Sequence, residues 1–320
     1  MKLGVLIEAE AGLTWDRWRP LLARVDALGF ESLWVSDHFL SLSARDHEGL
    51  EAWTALTVAA AETARVRLGP LVSPVTFRHP ALLARMATAL DHLSGGRLEL
   101  GVGAGWNDAE HRAYGLPFPP AAQRLDMLEE SIEVLLRLLG DGPAYFVGQH
   151  YRLEGADLQP KPVQRPRIPL LIGGMGERRT LPLVARYADE WNLTTASPAL
   201  YRARSERLAA CCAAIGRDPA TIARSVAVGL LVGRDDAELR RRCERLQELV
   251  SHLGEVATAD VPDAVRAVGW VVGTPAEIVA ALRALEAEGI GRAMLQLTDP
   301  TDLDALELVA DEVLPALAVG

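Results

Sequence analysis

Residues 2–38 read KLGVLIEAEAGLTWDRWRPLLARVDALGFESLWVSDH. Lys2–Ile7 is a short apolar run of strand length. Leu21, Leu22, Val25 and Leu28 then mark one face of a helix that Gly29 ends, and Ser32–Ser36 is a second strand. The same alternation continues outward from this unit. Glu51–Thr63 is the next helix and Arg67–Ser73 the third strand. Leu83, Met86, Leu90 and Leu93 share a helix face that stops at Gly95-Gly96, and Arg97–Val102 is the fourth strand. Leu128, Ile132, Leu135, Leu136 and Leu139 make a further helix. After a break come the strands Leu170–Gly173, Glu190–Thr194, Ser225–Val232 and Ala293–Leu297. The helices between and after them are Glu177–Ala188, Ala199–Ile215, the face Leu239/Cys243/Leu246/Val250/Leu253, one capped by Thr274-Pro275-Ala276-Glu277, and a closing one from Leu303 to Leu317.

Eight βα repeats with short loops imply a parallel sheet buried on both sides and closed on itself, the (β/α)8 TIM barrel of the α/β class. An open doubly wound sheet is the alternative, but no strand is followed by a complete Gly-x-Gly-x-x-Gly that opens a helix. The proline-rich stretch 141–169, with short strands at Ala144–Val147 and Tyr151–Leu153, reads as an insertion between the fourth helix and the fifth strand. No Gly/Ser-rich linker divides the chain, so residues 1–320 are expected to form one domain.

Composition narrows the function. Hydrophobic residues are 49% and charged residues 24%, which excludes disordered, collagenous and coiled-coil chains. A net charge of −10 argues against nucleic acid as a partner. Three cysteines, two of them adjacent, cannot build a disulfide framework and point to a reducing compartment. There is no apolar run of membrane-spanning length, and Glu8 and Glu10 follow the first strand too closely for a signal peptide, so a cytoplasmic protein without a membrane role is expected. No metal is expected, since neither His-Glu-x-x-His nor Cys-x-x-Cys occurs, and no Gly-x-Ser-x-Gly elbow supports a serine hydrolase.

Barrel enzymes carry their chemistry at the C-terminal ends of the strands. Asp37-His38 stands at the end of the second strand, where an imidazole beside a carboxylate suits acid/base work. A capping role for the pair is the plainer alternative. Gly173-Gly174-Met175-Gly176 opens a helix next to Arg178 and Arg179, either as an anion site or as a tight turn. The glycines of Gly101–Gly105 serve either barrel closure or a ligand. Trp34 and Trp106 are among five tryptophans near strand ends that either wall a flat pocket or pack the core. His92 and His111 show no partner signal.

Several of these segments together resemble the bacterial-luciferase-like flavin and deazaflavin oxidoreductases. They are 29–38, 73–80, 91–97 running into 100–106, 169–179 and 187–192. Ser36-Asp37-His38 is similar to the branch that uses the deazaflavin coenzyme F420, whereas luciferase-type FMN monooxygenases more often show Glu-His-His there. The resemblance implies a barrel, often a homodimer, acting on a small-molecule substrate. By the same resemblance His38 is the proton donor or acceptor and Asp37 contacts the deazaflavin. Leu71, Val72 and Ser73 lie behind its ring at a bulge that carries a non-proline cis peptide. Ala104, Gly105, Gly176, Glu177, Arg179 and Thr180 surround the ribityl phosphate. From their places near strand ends, Trp106 and Trp34 are expected at the substrate pocket. Two alternatives stay open: an FMN-dependent monooxygenase served by a separate reductase, and an F420-binding protein without turnover. Trp106 and Ala109 stand where the family's sugar-phosphate dehydrogenases carry glutamate and asparagine, which implies a more apolar pocket. Glu190 stands where a glycine is common.

Overall fold

The computed structural model describes residues 1–194 and 197–318. Its strands are β1 (Lys2–Ile7), β2 (Ser32–Val35), β3 (Arg67–Pro70), β4 (Ser73–Pro74), β5 (Leu100–Gly103), β6 (Ala144–Val147), β7 (Arg152–Ala156), β8 (Leu170–Gly173), β9 (Glu190–Leu193), β10 (Ala223–Val232), β11 (Val271–Gly273) and β12 (Arg292–Gln296). The parallel order β3-β2-β1-β12-β10-β9-β8-β5-β4 closes on itself, because β3 also bridges to the start of β5 at Leu68 and Leu98. β3 and β4 are two halves of one barrel strand, so the ring has eight staves with helices outside. The expected α/β barrel is present. Strands β6 and β7 form an antiparallel hairpin within the expected insertion.

The elements depart from expectation in several places. The run 67–73 is not one strand: pairing stops after Pro70 and resumes at Ser73, and the Leu71–Val72 peptide between them is cis. A short helix, Asp108–Tyr114, stands where the sequence shows no hydrophobic period; Asn107 caps it by accepting from Ala109 N at 3.1 Å. The helix after β8 starts at Thr180 instead of Glu177, which lengthens the glycine turn. Strand β11 was not foreseen; at three residues it has too short a period to read, and it pairs with the outer end of β10.

The glycines of β5 are explained by the bulge. A Cβ on Gly101 would lie 2.1 Å from the Pro70 carbonyl oxygen, and one on Gly103 would lie 2.7 Å from Val72 Cγ2. The bulge therefore fits against β5 only where β5 has no side chain. Gly101→Ala is expected to cost about 2–3 kcal/mol, because the obstructing atom is backbone held by the register Ser73 with Val102. Urea denaturation checks this, and an unchanged midpoint would show that the bulge yields freely.

Candidate active site

Strand β2 delivers Ser36, Asp37 and His38 to the C-terminal mouth of the barrel. Ser36 Oγ accepts from Ala9 N at 2.9 Å and donates to Glu10, which ties the end of β1 to the end of β2. Asp37 is buried, and its carboxylate is fully engaged. Ser73 Oγ donates to it at 2.6 Å, and Arg78 reaches it with both terminal nitrogens at 2.6 and 3.2 Å. Trp53 Nε1 donates to the same Ser73 hydroxyl at 2.9 Å. Asp37 and Ser73 thus clamp β2 to β4 beneath the bulge. Burial is the largest influence on the Asp37 carboxyl and pushes it up, against the pull of Arg78 and Ser73.

His38 is held from the opposite side. Its Nδ1 lies 2.9 Å from Glu110 Oε1, and the other oxygen of Glu110 accepts from Phe39 N at 3.0 Å. A carboxylate only accepts, so Nδ1 carries a proton and Nε2 is the nitrogen left for exchange with a ligand. Glu110 comes from the unforeseen helix 108–114, which His111 locks in place through Thr76 Oγ1 at 2.8 Å and the Asn107 carbonyl at 2.7 Å. Trp106 meets the His38 ring edge-on, with centroids 5.5 Å apart. Burial pulls the His38 imidazole down, but Glu110, Glu10 and Asp37 together outweigh it and leave it above its ordinary value.

His38 borders a cavity of about 480 Å³ at the barrel mouth. One wall is Leu71, Val72 and Pro74 of the bulge; another is the side-chain-free backbone of Gly103, Gly105, Gly173 and Gly174, with Ala104 between the first two. Trp270 stands on the far side, packed flat on Gly229, where a Cβ would fall 2.1 Å from the indole. Glu8 also lines the cavity. Burial, with Glu10 adding to it, pushes the Glu8 carboxyl up to about 7.

Of the residues expected at the site, His38, Leu71, Val72, Ala104, Gly105, Trp106 and Thr180 line this one cavity. Asp37 and Ser73 sit directly behind the bulge. Gly176 and Glu177 are exposed on the glycine turn, where Glu177 pairs with Arg204. Arg179 is bound to Asp126 at 2.6 Å, while no ion pair engages the exposed Arg178 among the described residues. Trp34 does not reach the cavity. It fills the barrel interior with Leu6, Leu171, Ala227 and Met294, and its indole donates to Ser32 Oγ at 2.9 Å. Glu8, Glu110 and Trp270 were missed. Glu110 had a signal in Asn107-Asp108-x-Glu110, a cap with acidic residues in the first turn. Among the described residues no three His, Cys, Asp or Glu side chains cluster to hold a metal ion, and no helix is long and apolar enough to cross a membrane.

Residues 1–292 match the model of a family described as luciferase-like monooxygenase. The chain belongs to that family. An F420-dependent glucose-6-phosphate dehydrogenase of Intrasporangium calvum is 35% identical over 168 residues, covering 52% of this chain and 48% of its own length. A 4-hydroxyprotoasukamycin monooxygenase of Streptomyces nodosus subsp. asukaensis is 35% identical over 164 residues, 51% of this chain and 43% of its own. The chain thus spans about half the length of the curated relatives it matches. An F420-dependent secondary alcohol dehydrogenase solved with an F420-acetone adduct superposes with a TM-score of 0.83 at 22% identity, over 99% of both chains. At that identity the likeness shows the luciferase-like barrel.

Proposed function

We propose that this luciferase-like protein binds coenzyme F420 in the mouth cavity and is an oxidoreductase that moves a hydride between the deazaflavin and a small organic substrate. The supporting observation is His38, paired through Nδ1 with Glu110 and bordering a cavity whose other wall is the bulge at Leu71–Val72. The residues present fit a flat ring system. The bulge offers an apolar backing, and the glycine walls leave backbone open to close approach. The turn 173–179 carries two arginines for an anionic tail, of which Arg178 is unpaired among the described residues. Bound F420 supplies the two-electron hydride. The chain's own part is to hold the ring, to exclude water and to move one proton: His38 gives it to the substrate oxygen in reduction and takes it back in oxidation. Asp37 and Ser73 position the bulge from behind, and a homodimer is the assembly expected on this reading.

A paired equilibrium titration of the apo-protein with F420 and with FMN, followed by fluorescence, tests the cofactor. Binding of F420 in clear preference to FMN is expected. Preference for FMN would overturn the deazaflavin reading in favour of a monooxygenase, which the relative from Streptomyces nodosus keeps in view. Arg179→Ala is expected to weaken F420 binding far more than it lowers the unfolding midpoint; undiminished affinity would remove Arg179 from the site.

A further inference from the structure

A second cavity of about 370 Å³ adjoins the first. The two share Glu8, Val268, Trp270 and Gln296, which form a neck between them. The chamber's inner face is apolar: Leu249, Val250, Leu253 and Val265 come from a small separate core built between β10 and β11. Its outer face is the loop 43–45, stitched to 249–251 by Arg45 N to the Leu249 carbonyl at 2.9 Å and Ser251 N to the Ser43 carbonyl at 2.8 Å. Thr298 also lines it, and the Thr298 hydroxyl is buried without a hydrogen-bond partner. A buried hydroxyl of that kind costs free energy unless something pairs with it.

Charge decides what the chamber accepts. Arg17 is bound to Asp46 at 2.7 Å and Arg245 to Asp299 at 2.7 Å, so both arginines at its rim are already neutralised. An anion would enter an apolar space beside Glu8, Asp46 and Asp299, and among the described lining residues no arginine or lysine is left without an ion-pair partner. A neutral apolar molecule bearing one oxygen finds what it needs: hydrophobic walls, the unpaired Thr298 hydroxyl, and Gln296 and Glu8 at the neck.

Resting on the deazaflavin reading, we propose that this side chamber is the substrate pocket, and that it takes an uncharged, mainly apolar ketone or alcohol whose oxygen is held at the neck by Glu8 and Gln296. On this proposal the chamber opens onto the cavity that His38 borders through the residues the two share, so a substrate seated there presents its oxygen-bearing carbon at the neck. Near neutrality the Glu8 carboxyl retains a share of its proton, which lets it donate to a carbonyl oxygen or accept from a hydroxyl.

The test uses two probes of similar carbon skeleton, the neutral ketone carvone and the carboxylate perillate, titrated into the full chain at pH 7 by calorimetry and tryptophan fluorescence, with and without F420. Saturable carvone binding is expected, with perillate at least about tenfold weaker. Ala44→Trp fills the chamber from a half-buried loop position and should abolish carvone binding while leaving F420 affinity as in the parent. Leu249→Asp, at another half-buried wall position, should weaken carvone by a similar route. Carvone binding to Ala44→Trp as tight as to the parent, or perillate binding as tight as carvone, overturns the proposal. If carvone binds and Ala44→Trp blocks it while the parent takes up no F420, the chamber stands as a neutral-ligand site and the deazaflavin reading falls instead.

Discussion

His38→Gln is expected to lower kcat by about 10²–10⁴-fold while F420 binds as it does in the parent. The substitution keeps the size of the side chain and removes the one imidazole among the described residues that line the cavity. Deazaflavin affinity should hold, because the bulge is fastened by Asp37, Ser73 and Arg78, which do not depend on the imidazole. Glu110→Gln separates positioning from chemistry. Glu110 is buried and supports the protonated ring, so replacing it with a neutral amide lowers the His38 value. In the reducing direction the ring must carry its proton, and activity is lost as pH rises through that value. The alkaline limb of the pH–rate profile should therefore move to lower pH in Glu110→Gln. In the oxidising direction, where the neutral ring takes a proton, the acidic limb should move the same way. A merely structural Glu110 would lower the rate at all pH values without moving either limb. Turnover by His38→Gln at the parental rate would sink the proton-transfer role altogether.

The barrel was legible because its signals are local. Strands such as Lys2–Ile7 and Leu170–Gly173 hold their bounds and helices with a clear apolar face carry their period in the sequence, whereas the strand expected at Arg97–Val102 starts only at Leu100 and the helix expected from Glu177 only at Thr180. The bulge was legible only as a resemblance: nothing in Leu71-Val72 itself announces a break, and its cause lies 30 residues away in the missing side chains of Gly101 and Gly103. The His38–Glu110 pair was invisible for the same kind of reason. Its partners are 72 positions apart and meet through a seven-residue helix with no apolar period. Glu8 carries the same positional signal as the other site residues, since it directly follows the strand Lys2–Ile7. Trp34 shows the converse error. A tryptophan next to a site motif faces inward here, because strand alternation turns it into the barrel, where Gly4 and Gly69 leave room for its ring.

Arg292→Met is expected to destabilise the protein by about 3–5 kcal/mol at pH 8, the loss typical of stranding buried charges. Arg292 opens β12 at the N-terminal end of the barrel and gathers three carboxylates from the starts of neighbouring staves. Glu99 takes two of its hydrogen bonds at 2.6 and 3.1 Å, Glu31 lies at 3.0 Å and Glu190 at 3.0 Å, with the guanidinium 5.6 Å from the Trp34 ring centre. Here Glu190, the residue that departs from the resembling family, finds its place: it faces Arg292, with one oxygen buried and unpartnered. Burial is the largest influence on both acids. Arg292 and Arg67 still hold Glu99 below its ordinary value, whereas Glu190, with Glu99 beside it, is pushed up to about 7. The two acids therefore have opposite linkage in the parent. Glu99 contributes stability above its unfolded value of 4.5 and loses it as pH falls through its lower folded value; Glu190 costs stability as pH rises from 4.5 through about 7. Without the guanidinium Glu99 loses its main partner and its folded value rises, so both acids then favour low pH. The gap between variant and parent in urea denaturation should consequently narrow as the buffer is taken from pH 8 to pH 5. Adding Glu190→Gln to Arg292→Met should recover part of the loss at pH 8, because one of the stranded charges is gone. A gap of equal size at both pH values, unchanged by the second substitution, would mean that Arg292 acts through packing on Trp34 and not through the charges it gathers.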